Sequence, residues 1–439
     1  MIIHSSMNNR HATATVRLAH GRGRLYDQPA TFTVAGDGAG RGLWVARTAD
    51  GRAETAIVEP GAATAASWNT GVRHTLELEA LAHQLRVVHA LLGAEPGERA
   101  LALASIGGTQ RLELGPTRTF AGGLALPGSA RMAVEGQPEW ECTIDEATAT
   151  ADWAGLRRAA EAAGRAPAVS WRDAGVAPLE TRLVPATGHL LVRLRLHGTD
   201  GWFLLDTGAE ELVVLPAFAE QAALPRAGTR PLSSIAGVER AAVVELGDII
   251  VGPLTIAGTA GVVSEALATL PAALGTAVDG VIGAHLFGHA VISMDLVAGS
   301  VTIAPTGPAD LAWTPVRLQN LHPLVEAGFE GRRGLFRLDT GAVPGVLFHA
   351  AAVRAHGLLE GRTTAPVPTD GVLELRAGRL ARLELGGARL DDVDALFATG
   401  SGTVLSDTVT VGLVGIPVLR RFSLVIDLAG RRIALTPRA

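Results

Sequence analysis

Cysteine is almost absent from this 439-residue chain, which contains a single one, Cys142. An intrachain disulfide is therefore impossible, and the composition offers no positive argument for an oxidising compartment. A lone cysteine beside Trp140 and Glu141 is more often a packed core residue than a nucleophile. Cysteine and histidine also form no cluster with the spacing of a zinc site. We therefore expect the protein to need neither a metal nor another cofactor.

Long apolar runs and concentrated charge are missing as well. No stretch approaches the roughly eighteen apolar residues that a membrane-spanning helix needs. The 38 basic and 43 acidic residues give a net charge of −5, and the basic ones are scattered instead of forming a stripe. These features predict a soluble protein with no membrane span and no groove for nucleic acid.

Glycine and proline, in contrast, are abundant, with 53 and 23 residues. Together with frequent runs of β-branched residues, they favour β-rich domains with many tight turns. A length of 439 residues exceeds what one hydrophobic core usually supports. The chain is therefore expected to form two or three domains.

The C-terminal half contains an internal repeat. Three landmarks recur in the same order, at offsets of 133, 132 and 132 residues. They are GWFLLDTGA at 201–209 and GLFRLDTGA at 334–342, VIG at 281–283 and LVG at 413–415, and ISMDL at 292–296 and LVIDL at 424–428. Constant order and nearly constant spacing indicate a duplicated unit.

The repeat divides the chain into three predicted domains. Residues 1–180 form an N-terminal domain of β-meander and helix whose role is unknown, and the repeated units lie at 181–306 and 314–439. Within each unit, short apolar runs separated by turn residues are typical of a small closed or sandwiched β-fold. Four short helices are expected in these units, at 216–223, 283–287, 349–356 and 416–421.

Each unit contains Asp-Thr-Gly directly after an apolar strand. The two copies are Asp206-Thr207-Gly208 and Asp339-Thr340-Gly341. The strand delivers a carboxylate to a buried surface, and the threonine hydroxyl can hold the loop in place. The glycine permits a close backbone approach and can donate its N–H to the carboxylate. Threonine and glycine are thus expected to support the loop that carries the aspartate.

Two such loops related by a pseudo-two-fold axis would bring Asp206 and Asp339 close enough to share a proton. The ionised aspartate would then act as general base on a bound water, while the protonated one polarises a scissile carbonyl. The alternative is a duplicated β-domain whose aspartates only cap turns. Two intact copies, each trailed at equal distance by an apolar-apolar-Gly motif, favour the catalytic interpretation.

Both units resemble the retropepsin-like, clan-AA aspartic proteases, in particular bacterial domains with Asp-Thr-Gly-Ala and a later Asp-Gly-φ-φ-Gly motif. That motif stands at 279–283, and at 411–415 without its leading Asp. The resemblance implies a mainly β protein with two acid-protease barrel lobes in tandem, as in bilobal pepsins, after an α+β N-terminal domain. It also implies an aspartic endopeptidase that acts on polypeptides as a monomer. The structural ψ-loop residues would be Val281, Ile282, Gly283, Leu413, Val414 and Gly415.

Members of this family cover the cleft with a β-hairpin flap. The candidates here are 231–244 with Gly237 at the tip, and 366–375 with Asp370-Gly371 as the turn. Neither contains a tyrosine, since the chain has only Tyr26. This departs from the pepsin pattern of flap hydrogen bonding.

The sequences that follow the two motifs differ. Glu210-Glu211 follows the first, where Val343-Pro344 follows the second. The acidic pair either tunes the aspartates, or favours a basic substrate side chain, or forms a solvated turn with exposed carboxylates, which is the commoner case.

The histidines give no second candidate site. His285 and His289 have the i, i+4 spacing of helical metal ligands, but no carboxylate stands at useful spacing, so we expect surface or core residues. His322, His349 and His356 are dispersed along the sequence.

Residues 1–180 contain no catalytic motif. We predict strands at 16–18, 30–34, 42–47 and 54–58, helices at 75–92 and 149–163, and a hinge at 167–178. The pattern resembles the lipoprotein-carrier-like half-barrels that precede protease domains in some bacterial proteins. Such a domain could bind substrate, shield the cleft or serve as a docking module.

Two questions stay open at this point. The first ten residues lack the features of a signal peptide and predict a cytoplasmic protein, whereas related bacterial domains are often exported after a native leader. The rival function is a catalytically silent protein that binds an extended peptide or apolar ligand in the same cleft. The intact aspartates, threonines and glycines of both motifs favour the enzyme.

Overall fold

The protein is mainly β, with five sheets and seven α-helices in the described residues. A computed structural model describes residues 15–37, 40–60, 62–68, 70, 73–75, 78–93, 100–105, 108–164, 166–234, 237–368, 374–400, 405 and 407–438. Within these residues, no helix combines the length and apolar character needed to cross a membrane. The expected fold class, two barrels after an α+β N-terminal region, is confirmed.

In the described part of the chain, twelve strands and two α-helices lie between residues 16 and 161. The strands are β1 Val16–Leu25, β2 Gln28–Gly36, β3 Gly42–Thr48, β4 Ala53–Glu59, β5 Ala62–Ala66, β6 Arg73–Thr75, β7 Ala100–Ser105, β8 Gly108–Leu114, β9 Thr117–Thr119, β10 Ala125–Pro127, β11 Ser129–Val134 and β12 Gln137–Thr150; the helices are α1 Leu78–Leu91 and α2 Trp153–Glu161. Ten strands form one N-terminal sheet in the order β6-β5-β4-β3-β2-β1-β12-β11-β8-β7, and β9 pairs with β10. Helix α1 packs against β2, β3, β4 and β8.

The helix expected at 149–163 begins later than predicted. Residues 149 and 150 complete β12 instead, where each pairs with β1. The helix starts at Trp153, because the Asp152 side chain accepts a hydrogen bond from the Gly155 N–H at 2.8 Å. Such an N-cap satisfies a backbone donor that the first turn leaves without a partner.

The next twelve strands build the first barrel and half of a bridging sheet. They are β13 Ala168–Trp171, β14 Ala177–Pro178, β15 Thr181–Leu183, β16 Leu190–Leu196, β17 Thr199–Leu205, β18 Val213–Val214, β19 Arg226–Ser234, β20 Gly237–Val251, β21 Leu254–Val263, β22 Gly280–Ile282, β23 Val291–Asp295 and β24 Ser300–Ala304, with helices α3 Pro216–Gln221, α4 Leu270–Leu274 and α5 Ala284–Phe287. The order is β13-β21-β18-β22-β17-β16-β20-β19, and β20 also pairs with β21. That pairing closes the barrel.

The last eleven strands repeat this arrangement. They are β25 Thr314–Pro315, β26 Arg317–Gln319, β27 His322–Phe329, β28 Arg332–Leu338, β29 Val346–Phe348, β30 Ala365–Pro366, β31 Leu375–Leu385, β32 Ala388–Ala398, β33 Gly412–Val414, β34 Phe422–Asp427 and β35 Arg432–Pro437, with helices α6 Ala350–Ala355 and α7 Ile416–Leu419. The second barrel has the order β26-β27-β28-β33-β29-β32-β31-β30, and β27 closes it by pairing with β31.

A six-stranded bridging sheet joins the barrels in the order β14-β24-β23-β34-β35-β25. At its centre β23 runs antiparallel to β34, with Ser293 opposite Val425. These residues are 132 positions apart, which is the offset of the sequence repeat. The centre of the sheet therefore lies on the pseudo-two-fold axis, and one hydrophobic core continues through the bridging sheet and both barrels.

The hinge predicted at 167–178 is wrong. Strand β13 pairs with β21 of the first barrel, and β14 pairs with β24 of the bridging sheet, so the segment is hydrogen-bonded at both ends. A second apolar cluster joins the N-terminal sheet, through residues such as Trp44 and Trp140, to Leu204 and Val281 of the first barrel. The N-terminal sheet is therefore packed against this barrel.

Candidate active site

Two equivalent strand ends present the aspartates. Asp206 follows β17 directly and Asp339 follows β28. Strand β22 runs parallel to β17 and antiparallel to β18, and the Asp206 N–H donates to Ile282 O at 3.0 Å. Strand β33 does the same in the second barrel, where the Asp339 N–H donates to Val414 O at 3.0 Å. Strands β22 and β33 thereby hold the two loops in place, each in a ψ-shaped arrangement of strands.

The glycines after these short strands leave room for the loops. A Cβ on Gly283 would lie 2.6 Å from Asp206 O, and a Cβ on Gly415 would lie 2.5 Å from Ala342 O. Real Cβ atoms do not approach backbone oxygens so closely, so a larger residue would push the loop away. This explains why the apolar-apolar-Gly motif occurs in both copies.

The two threonines lock the loops to each other. The Thr207 hydroxyl donates to Leu338 O at 2.7 Å and accepts from the Thr340 N–H at 3.0 Å. The Thr340 hydroxyl donates to Leu205 O at 2.8 Å and accepts from the Thr207 N–H at 3.0 Å. Both threonines are buried, and an unmade buried hydrogen bond costs about 1–3 kcal/mol. This reciprocal set holds the two barrels in register at the aspartates.

Each carboxyl group lies in contact with the glycine of the other loop, and the two groups act on each other's pKa. The Gly208 N–H donates to Asp206 Oδ1 at 2.6 Å, and the Gly341 N–H donates to Asp339 Oδ1 at 3.0 Å. A Cβ on Gly208 would lie 2.7 Å from Asp339 Oδ2, and one on Gly341 would lie closer still to Asp206. Only glycine at these positions permits the contact.

Their surroundings favour one shared proton. Burial raises the pKa of Asp206 well above its usual range, and the neighbouring charge of Asp339 raises it further. Burial also raises the pKa of Asp339, but the Arg337 guanidinium opposes that shift. Two carboxylates in contact cannot both ionise easily. The pair is therefore suited to hold one acid and one base at the same time.

Two histidines that sequence reasoning passed over reach across to the opposite loop. His189 Nε2 lies 3.0 Å from Gly341 O and Nδ1 lies 2.7 Å from the Thr187 hydroxyl. His322 Nδ1 lies 3.4 Å from Thr207 O. The histidines are 133 residues apart, so the offset of the repeat could have identified them as a pair. His322, expected from the sequence to be one of several dispersed histidines, thus lies beside the first Asp-Thr-Gly loop.

A cleft of about 660 Å³ opens above the aspartates. Its walls come from all three sheets that meet there, the N-terminal sheet and both barrels. The N-terminal sheet contributes Tyr26, Trp44, Glu54, Gln110 and Glu139 to the lining. The cleft is thus bounded on one side by residues that the motifs did not indicate.

The acidic pair after the first motif is not a solvated turn. Glu211 is only 4% exposed and its Oε1 lies 2.7 Å from Arg230 Nη1 on β19. The guanidinium of Arg230 also lies 4.5 Å from the centre of the Tyr26 ring, and the Tyr26 hydroxyl donates to Glu54. Glu210 lines the cleft, where burial raises its pKa to about 7. The pair therefore belongs to a charged cluster between the first barrel and the N-terminal sheet.

The second barrel has a different buried cluster beside its aspartate. Arg337 Nη2 lies 3.2 Å from Asp407 Oδ2, and both residues are at least 95% buried. The Thr410 hydroxyl donates to Asp407 at 2.6 Å, and His349 Nδ1 lies 3.9 Å from the same carboxylate. Arg337, His349 and Asp407 all line the cleft.

Four other residues singled out in the sequence remain to be placed in the structure. His285 is fully buried, with its nitrogens bonded to Leu212 N and Ala260 O at 2.9 Å, so it is a core residue and burial lowers its pKa to about 3. Cys142 is buried as well. Gly237 begins β20 and pairs with Ser234 at the end of the β19–β20 hairpin. Gly371 lies outside the described residues.

Parts of the chain are similar to known proteins. Residues 192–286 match the family model described as aspartyl protease. Among solved structures, the chain is similar to a retropepsin-like aspartic protease from Rickettsia conorii, with 17% identity over 29% of this chain and 91% of that one, at a TM-score of 0.23. It is also similar to basic 7S globulin from soybean, with 13% identity over 61% and 96% of the two chains, at a TM-score of 0.35. No curated protein matches the chain. The matched segment holds Asp206, and it supports an aspartyl protease family for this protein.

Proposed function

We propose that the chain is an aspartic endopeptidase in which Asp206 and Asp339 activate a water molecule to hydrolyse peptide bonds. The observation that carries the proposal is that the two carboxyl groups line the same cleft, each against the glycine of the other loop. Two further features support it: the reciprocal threonine hydrogen bonds and the glycine N–H donors of both loops.

The chemistry needs only these two side chains and water. The ionised aspartate removes a proton from water while the water oxygen bonds to the peptide carbon, and the protonated aspartate gives its proton to the carbonyl oxygen. The resulting tetrahedral intermediate loses the amine when the first aspartate passes its proton to the nitrogen. One hydroxyl of the intermediate returns its proton to the second aspartate, which restores the starting state.

We further propose that two fused units, 181–306 and 314–439, supply one aspartate each, and that residues 1–180 form an N-terminal domain whose last strands, β13 and β14, extend the sheets of the first unit. The equivalent strand orders of the barrels and the bridging sheet support this arrangement. Because both aspartates belong to one chain, the enzyme would act as a monomer on a polypeptide held along the cleft. The flap over the first aspartate would be the β19–β20 hairpin.

Cleavage of a peptide library by wild type, Asp206→Asn and Asp339→Asn tests the proposal. Each substitution is expected to lower kcat/KM about 100-fold or more, which is the usual contribution of a general acid or base. Asp248→Asn, at an exposed position of β20 outside the cleft, is the matched control and is expected to retain full activity. Cleavage that persists when either aspartate of the pair, called the dyad from here on, is replaced would contradict the mechanism. Peptide binding without cleavage by wild type would favour the silent binding protein instead.

A further inference from the structure

One position breaks the duplication beside the aspartates. Leu204 pairs with Val281 in the first barrel, and Arg337 pairs with Leu413 at the equivalent place in the second. Each stands two residues before its aspartate, so both side chains share the aspartate's side of the strand. Where the first barrel has leucine, the second therefore has a cation next to its dyad carboxylate.

The fold itself does not need this cation. In the first barrel Leu204 packs in an apolar cluster, and Leu215 occupies the N-cap position that His349 has in the second. Burying an ion pair costs more than burying apolar side chains of similar volume, and often leaves no net gain in stability. The buried pair of Arg337 and Asp407 thus calls for an explanation other than stability.

The surroundings of Asp339 point to an electrostatic role. The charged or titratable groups that act on it are Asp206 from the opposite loop, His189 at the start of β16 and Arg337 on its own strand. His189 is buried, and its pKa is lowered, so Arg337 is the permanent positive charge among them. Asp407 holds the guanidinium in place, and Arg337 Nε has no hydrogen-bond partner in the described part of the chain.

We propose that Arg337 is a positioning residue that fixes the direction of proton transfer in the dyad. Its charge keeps Asp339 as the carboxylate that takes the proton from water, and leaves Asp206 as the acid that protonates the carbonyl oxygen. Asp339 then delivers its proton to the departing nitrogen, and a hydroxyl of the intermediate reprotonates Asp206. This assignment rests on the proposed peptidase function, since it names the roles within that reaction.

The test titrates each carboxyl group separately by infrared spectroscopy of the carboxylic C=O stretch. Asp206→Asn leaves Asp339 as the only dyad carboxyl group, Asp339→Asn leaves Asp206, and the doubly substituted protein supplies the spectrum to subtract. Adding Arg337→Leu, which installs the residue of the first barrel, is expected to raise the pKa of Asp339 by about one unit or more. The pKa of Asp206 is expected to move less. Arg337→Lys keeps the charge and should restore most of the difference.

Two controls separate this role from a structural one. Arg337→Gln retains a donor for Asp407 without the charge, so it should shift Asp339 as the leucine variant does even if the latter folds poorly. Arg333→Leu removes an exposed arginine from the same strand and should shift neither group. An unchanged Asp339 pKa in folded Arg337→Gln, or equal shifts of both aspartates, would overturn the proposal.

The infrared result does not depend on catalysis. In an active enzyme, Arg337→Gln should also move the acid limb of the kcat/KM profile to higher pH, and a purely structural defect would lower activity without moving that limb. If wild type cleaves no peptide, the peptidase proposal fails while the titration still shows whether Arg337 polarises the pair.

Discussion

At the scale of single residues, two glycines allow the carboxyl groups to approach each other, because neither glycine has a Cβ atom. Gly208 and Gly341 have no Cβ, and each faces the aspartate of the other loop. The side-chain donors of Thr207 and Thr340 pull the same loops together. Charge coupling between carboxyl groups falls with distance, so proton sharing depends on both features.

Gly208→Ala should therefore damage catalysis far more than stability. The new Cβ would meet Asp339 Oδ2 at 2.7 Å, so the carboxyl groups must separate and kcat is expected to fall about 100-fold, as when a misplaced group loses its geometry. Peptide cleavage measures the effect, and circular dichroism checks the fold. Gly175→Ala is the control, because a Cβ there meets nothing within 4 Å. Equal activity of the two variants would show that close contact of the aspartates is unnecessary.

At the scale of elements, the β19–β20 hairpin is held from both sides. Arg230 on β19 binds Glu211 of the first barrel and stacks on Tyr26 of the N-terminal sheet. Asp27 binds Thr229 and Arg240 of the hairpin. The hairpin would need to break these links to lift from the cleft, so its opening is coupled to the packing of the N-terminal sheet.

The packing of this sheet should weaken as the pH rises. Burial raises the pKa of Glu139 to about 7, the charge of Glu54 adds to the shift, and Arg230 opposes it. A carboxyl group with a raised folded-state pKa contributes stability that is complete below its ordinary value near 4.5, and that is lost as the pH rises through about 7. The titration of Glu139 thus favours the packed sheet at acidic pH.

Glu139→Gln removes this titration. At pH 8 the variant is expected to be more stable than wild type by about 1 kcal/mol, a modest figure because Glu139 is only partly buried, and the difference should vanish near pH 4.5. Urea denaturation followed by tryptophan fluorescence at the two pH values measures it. Glu113→Gln, an exposed residue of the same sheet, should show no such change. A constant difference across pH would exclude titration of Glu139 as the cause.

The sequence predicts the features that depend on local patterns, and it misses those that depend on contacts between distant segments. Both Asp-Thr-Gly loops and the four short helices of the repeated units rest on local patterns, and the structure has helices within each of the four predicted ranges. Arg230 and Tyr26 lie in unrelated patterns more than 200 positions apart, so nothing local connects them with each other or with Glu211. The pairing of His189 with His322 is an intermediate case for prediction, because only the offset of the repeat links the two residues in the sequence. Contacts between sheets leave no periodic signal in one sequence.

At the scale of the whole molecule, the proposed duplication would explain the geometry of the site. Equivalent pairings close the two barrels, β16 with β20 in the first and β27 with β31 in the second, and β23 lies against β34 where the barrels meet. The reciprocal hydrogen bonds between the Asp-Thr-Gly loops join Thr207 and Thr340, which are 133 positions apart. One departure from the symmetry lies beside the aspartates, where Leu204 packs in the apolar cluster shared with the N-terminal sheet and Arg337 lines the cleft and pairs with Asp407.

Mixing two inactive variants tests whether one chain builds the whole site. Asp206→Asn retains a normal second loop and Asp339→Asn a normal first loop, so an active site assembled between two chains would recover activity in the mixture. The bridging sheet and the buried threonine hydrogen bonds connect the two halves within one chain. The mixture is therefore expected to stay at or below about 1% of wild-type activity, the level left by loss of a general acid or base. Activity should also rise linearly with wild-type concentration. Recovery on mixing, or a quadratic dependence, would require the two aspartates to come from different chains.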